Sequence, residues 1–157
     1  MKRKILIIID MQEEFVEDHQ LIEQQRYICK LINSGQYKHI VNVIYGYSDI
    51  LERIYKSLSK YKRKCNRYDD NGNFWGKFAL ILKKSNNGSK NIDEYFKKEV
   101  NLDPKDIELH LVGVNSDVCV LDTFKGLLKR KYSAFVHKKG TNWCGGLEKY
   151  YPKNKVI

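Results

Sequence analysis

The chain reads as an α/β protein built on a mostly parallel, doubly wound sheet. Three observations predict this. Short apolar runs rich in β-branched residues recur at 4–9, 39–45, 78–82, 107–114 and 132–136. They are too continuously apolar for one face to meet water, the pattern of strands covered on both sides. Stretches with apolar residues at helical spacing alternate with them, and such alternation packs as parallel strand–helix–strand units.

Each element follows from local chemistry. The first run, Ile5 to Ile9, is closed by Asp10. The basic start before it imitates a secretory leader, but five apolar residues are too few for one, so a cytoplasmic location is expected. Residues 21–33 place Leu21, Ile28, Leu31 and Ile32 on one helical side, with Gly35 as a stop. The 39–45 strand is followed by Ser48, a cap for a helix through Leu58 that aligns Ile50, Leu51, Ile54 and Leu58. Residues 60–76 show no period and read as a loop. A third strand, 78–82, ends at Lys83-Lys84, and Ser85 to Lys90 is turn chemistry. Residues 92–100 are helical in pattern, and Pro104 punctuates the loop before the fourth strand.

That strand breaks at Gly113, where backbone must turn sharply or approach closely. Asn115, Ser116 and Asp117 supply helix-capping groups, and residues 119–129 carry Val120, Phe124, Leu127 and Leu128 on one face. After Val136 the chain is loop-rich, with only 155–157 able to add an edge strand. No linker, repeat or low-complexity segment divides the 157 residues, so 1–157 is expected to form one domain.

Composition narrows the function classes. No stretch approaches the roughly 20 apolar residues of a membrane span, so no membrane partner is expected. Cys29, Cys65, Cys119 and Cys144 form neither a close pair nor a ladder, which argues against a disulfide framework and a zinc ribbon. The net charge of +10 admits an anionic partner, but lysines are spread along nearly every segment. The stretch from Arg53 to Arg67 interleaves bases with tyrosines, and reads as the wet face of a helix plus a loop; nucleic acid is the disfavoured partner. His137 and Cys144 with His110 or His19 match no ligand spacing. Trp143 and Cys144, and Phe74 and Trp75, are candidate pocket walls, with core packing preferred for the latter pair.

The chemistry gathers at one sheet edge. Ligands of doubly wound sheets bind beyond the carboxyl ends of the strands, and Asp10, Lys83 and Cys119 each follow such an end. Cys119 falls in the first turn of a helix, where the dipole is expected to lower its thiol pKa. Asp10 can take its proton, Lys83 can hold carboxylate and thiolate, and amides near Asn115 and Cys119 point where an oxyanion would form. The bland readings are a small buried cysteine, a strand-end cap and a surface lysine.

Two stretches carry a resemblance. I-I-I-D-M-Q-E-E-F, ending at Phe15, resembles the D-x-Q-x-x-F opening of the isochorismatase-like cysteine hydrolases, and V-G-V-N-S-D-V-C-V-L-D-T (112–123) is similar to their G-V-x-T-D-x-C-V-x-x-T segment. The likeness spans about residues 4–136. It implies a Rossmann-like three-layer α/β/α fold, C-terminally shortened here, with an Asp–Lys–Cys triad of Asp10, Lys83 and Cys119. It also implies an oxyanion hole of the Asn115 and Cys119 amides and a cis peptide before Asn115. Lys84 competes with Lys83 for the lysine role. The implied activity is cleavage of an amide or related C–N bond of a small molecule, without a cofactor, with a homo-oligomer admitted. The Asp-x-His metal motif of the nicotinamidase branch is replaced by Gly46-Tyr47-Ser48-Asp49, so no catalytic metal is expected. The competing reading is a catalytically degenerate or non-catalytic binding protein of the same fold, with nucleic acid on its basic surface as the partner it would admit.

Overall fold

A computed structural model describes residues 2–11, 21–37, 39–45, 77–83, 85–142 and 146–157. Its centre is a five-stranded sheet of β1 (Arg3–Ile9), β2 (His39–Tyr45), β3 (Lys77–Lys83), β4 (Ile107–Gly113) and β5 (Ser133–Thr141). The order is β3-β2-β1-β4-β5, and all four ladders are parallel. Helices α1 (Ile22–Asn33), α2 (Ser89–Tyr95) and α3 (Cys119–Lys129) accompany it, with a π turn (Phe96–Val100) extending α2 and short 3-10 turns at Pro104–Asp106, Leu147–Lys149 and Lys153–Lys155.

The alternation of strand side chains sorts the apolar residues into two cores. Ile5, Ile7 and Ile9 join Val41, Val43, Val120, Phe124 and Leu127 on one side. Leu6 and Ile8 join Ile28, Leu31, Ile32 and Ile40 on the other. That is the α/β/α architecture: period 2 along β1 feeds both faces, and each helix offers one apolar stripe. Because β1 is covered on both faces from Ile5 to Ile9, the continuously apolar sequence there is required.

The chain runs outward from β1 to β3 and then crosses to β4 on the other flank of β1. The crevice opens where the strand order reverses, between the carboxyl ends of β1 and β4. Gly113 makes the close approach there: at φ +126, a Cβ would sit 2.0 Å from Ile9 O.

The differences from the sequence reading are local. The helix expected at 92–100 begins at Ser89, because the Ser89 N–H is taken by Asn87 Oδ1 at 2.9 Å and the turn leads directly into α2. Strand β5 outruns its apolar stretch and continues to Thr141. Asn115, Ser116 and Asp117 do not cap α3. Its N-cap is Val118 with no side-chain cap, and the Val118 and Val120 N–H groups both bond Asn115 O, at 3.2 and 3.0 Å. The terminal residues pair with β5 as a single bridge, Val136 to Val156. The helix expected at 48–58, the loop at 60–76, and His19, Cys65, Phe74, Trp75, Trp143 and Cys144 lie outside the described residues. No helix among the described residues is long and apolar enough to cross a membrane.

Candidate active site

Asp10 leaves β1 with φ 51, held by its N–H on Val43 O at 2.8 Å. Lys83 ends β3, in register with Tyr45. Its side chain reaches past the end of β2 to Asp10, with Nζ 2.7 Å from Oδ2 and both side chains at or below 2% exposed. The ammonium also donates to Ser85 O at 3.1 Å and lies 5.2 Å from the centre of the Tyr45 ring. A buried ion pair is best tolerated when its remaining hydrogen-bonding capacity is met; the turn after β3 supplies acceptors for the lysine, while Asp10 Oδ1 has no hydrogen-bond partner among the described residues. That turn is itself held by α3: Thr123 Oγ1 accepts the Gly88 N–H at 3.0 Å. Of the two competing lysines, Lys83 is the one placed here; Lys84 lies outside the described residues.

Cys119, half-buried at the first residue of α3, completes the group. Its thiol is close enough to Asp10 for the carboxylate to oppose its ionisation, and Asn86 Oδ1 is 3.8 Å from Sγ. The Asn115 backbone N–H favours the ionised form of the thiol. The Val114–Asn115 peptide is cis. Asp10, Lys83, Cys119 and Asn115 are therefore brought together, from three strand ends and a helix start.

The electrostatics correct one expectation. The helix start does not give a low thiol pKa: burial and the adjacent Asp10 carboxylate push Cys119 up to about 11, against the opposing pull of Lys83 and the Asn115 N–H. Burial also raises Asp10, partly offset by Lys83. At neutral pH this leaves a neutral thiol beside the lysine-paired Asp10.

Three further residues gave no sequence signal for a site. Asn86 sits in a turn flagged only as a turn. Asn142 donates from Nδ2 to Asn115 Oδ1 at 2.6 Å and accepts the Ser116 N–H at 2.9 Å. The Tyr151 hydroxyl donates to Ser116 O. The residues expected at a metal motif, Gly46 to Asp49, lie outside the described residues. Among the described residues no three His, Cys, Asp or Glu side chains form a metal-holding group.

Compared with models of protein families and with curated proteins, the chain matches none. Solved structures share its fold. An isochorismatase-like hydrolase from Alkaliphilus metalliredigens has a TM-score of 0.68 at 18% identity, covering 99% of this chain and 94% of that one. The nicotinamidase of Staphylococcus aureus has a TM-score of 0.64 at 20% identity, covering 90% and 83%. N-carbamoylsarcosine amidase from Thermoplasma acidophilum has a TM-score of 0.62 at 19% identity, covering 99% and 95%. The chain thus has the isochorismatase-like hydrolase fold.

Proposed function

We propose that this protein is a cysteine hydrolase that cleaves an amide or related C–N bond of a small molecule through a thioester on Cys119. One observation carries the reading: a fully buried Lys83–Asp10 pair set against a half-exposed thiol at the switch point of the sheet. Burying two charges costs several kcal/mol, and a purely structural role would be met by apolar residues. The amidases among the solved structures of this fold support the amide class of substrate.

In this mechanism Sγ attacks the carbonyl carbon as Asp10 accepts the thiol proton, and the carbonyl electron pair moves onto oxygen. General-base help is needed because a thiol near 11 is scarcely ionised at pH 7. The Asn115 and Cys119 N–H groups stabilise the oxyanion. Asp10 then gives its proton to the leaving nitrogen, the C–N bond breaks and the thioester remains. Water attacks the thioester, Asp10 takes its proton, the C–S bond breaks, and the proton returns to sulfur. Lys83 favours the ionised form of Asp10 each time that Asp10 is to accept a proton. No step is routed through a metal.

The test is a panel of small primary amides, carbamoyl compounds and pyridine carboxamides assayed for ammonia release, with Cys119→Ala alongside. Turnover by the parent chain, loss of at least a thousandfold in Cys119→Ala with an unchanged circular dichroism spectrum, and a trapped acyl adduct on Cys119 by mass spectrometry are expected. Ammonia release that survives Cys119→Ala would sink the assignment.

A further inference from the structure

The oxyanion loop after β4 is held from outside by a segment that follows it in sequence by some thirty residues. Strand β5 pairs with β4 as far as Gly113 opposite Thr141, across a register shift. Gly140 permits that approach, since a Cβ there would sit 2.5 Å from Val112 Cγ1. The next residue, Asn142, therefore emerges beside Asn115. Its amide uses both ends: Nδ2 donates to Asn115 Oδ1 at 2.6 Å, and Oδ1 accepts the Ser116 N–H at 2.9 Å. A side-chain amide bonded at both ends fixes position and rotation together.

The Ser116 carbonyl is gripped from the other side. Tyr151 donates to it from a ring that is 3% exposed and packed edge-on against Phe124, with ring centres 5.1 Å apart. Leu147 is buried in the same core, and the backbone beyond Tyr151 is tied to β5 through the Ile157 N–H on Val136 O at 2.9 Å and the Lys138 N–H on Ile157 O at 2.8 Å. One residue, Ser116, thus has its N–H held by Asn142 and its C=O held by Tyr151. The preceding amide, that of Asn115, is the one that favours the Cys119 thiolate.

We infer that Asn142 and Tyr151 are positioning residues that hold the Asn115 amide on the reacting sulfur and on the oxyanion that follows. The role in the oxyanion step rests on the hydrolase reading above; the grip on the sulfur does not. Neither residue touches the reacting atoms. Their effect is orientation, and orientation is worth much in catalysis because a donor must be in place before charge develops.

Cys119 alkylation reads the clamp without any substrate. Below its pKa, a thiol reacts in proportion to its thiolate fraction, and losing the Asn115 N–H removes a group that favours thiolate. The rate of Cys119 carbamidomethylation by iodoacetamide at pH 8.5 is followed by peptide mass spectrometry, with Cys29 as the internal reference. Asn142→Ala and Tyr151→Phe are each expected to slow Cys119 by three- to tenfold relative to Cys29, with melting temperatures near that of the parent. Tyr151→Phe removes one oxygen and decides the matter if Asn142→Ala fails to fold. An unchanged or faster Cys119 rate in the folded variants overturns the clamp. Where an amide is turned over, the same variants should lower kcat with little change in KM; a rise in KM alone overturns the catalytic part. If the parent turns over no amide while the alkylation rates still fall, the hydrolase reading fails and the grip on the sulfur stands.

Discussion

Lys83 is the residue on which the site's electrostatics turn. Removing one partner of a buried ion pair leaves the other charged and desolvated, which typically costs 3–5 kcal/mol. Lys83→Ala is therefore expected to lower stability by about 3 kcal/mol or more, because Asp10 then stands alone at 2% exposure. Asp10→Asn with Lys83→Met removes both charges, and should recover most of the loss. Urea denaturation of the single and double variants checks this, and additive losses would show that the two groups are not coupled. Sequence placed both residues at strand ends, since a lone charge after an apolar run is easy to see. Their pairing was expected from the shared sheet edge; that it reaches across the end of β2 was not legible, because it depends on strand order. The thiol was misjudged for a related reason. The helix start was visible in sequence, but the desolvation and carboxylate that raise Cys119 come from the far side of the crevice.

Among the elements, the strands were the most legible. The sequences of β1, β2 and β4 are largely apolar because both faces are covered, and only a buried strand needs that. Ends governed by long-range contact were not legible: β5 continues through Lys138 and Lys139, and Asn142 meets a partner in another loop. The packing of α3 on the start of α2 belongs to this level. Gly126 faces Ser89 and Asn87, and a Cβ there would lie 2.1 Å from Ser89 Oγ and 2.7 Å from Ser89 Cβ. In an isolated helix, glycine to alanine gains up to about 1 kcal/mol. Here the methyl group forces α3 away from the turn that carries the acceptors of Lys83, and overpacking costs roughly 1–3 kcal/mol. Gly126→Ala is thus expected to lower the melting temperature despite its better helix propensity. A variant as stable as the parent, or more so, would mean that this contact yields without cost.

Across the whole molecule, a second polar network ties the α1 face to the β4–β5 flank, away from the thiol. Tyr27 of α1 bonds His137 Nδ1 at 3.0 Å, His137 Nε2 lies 3.1 Å from the Tyr37 hydroxyl, Tyr37 lies 2.7 Å from His110 Nδ1, and His110 Nε2 lies 2.7 Å from Glu108. One set of tautomers satisfies the whole row: Tyr27 donates to His137, His137 to Tyr37, Tyr37 to His110, and His110 to Glu108. It requires both imidazoles to be neutral. Burial, then the neighbouring His110 and Lys4, depress His137 to about 4, and burial holds His110 below its usual range against the pull of Glu108. A histidine depressed on folding contributes stability above its unfolded pKa of roughly 6.5, and that stability is lost as pH falls toward the folded value. For His137 the difference is on the order of 3 kcal/mol between pH 6.5 and 4, at about 1.4 kcal/mol per pKa unit. Carboxylates elsewhere also titrate in this window, so the comparison that decides is with His137→Gln, which keeps a donor and an acceptor but no titrating ring. Urea midpoints should fall less steeply with acid in His137→Gln than in the parent chain. Parallel curves would mean that protonated His137 is tolerated in place, and that the row does not depend on neutral rings.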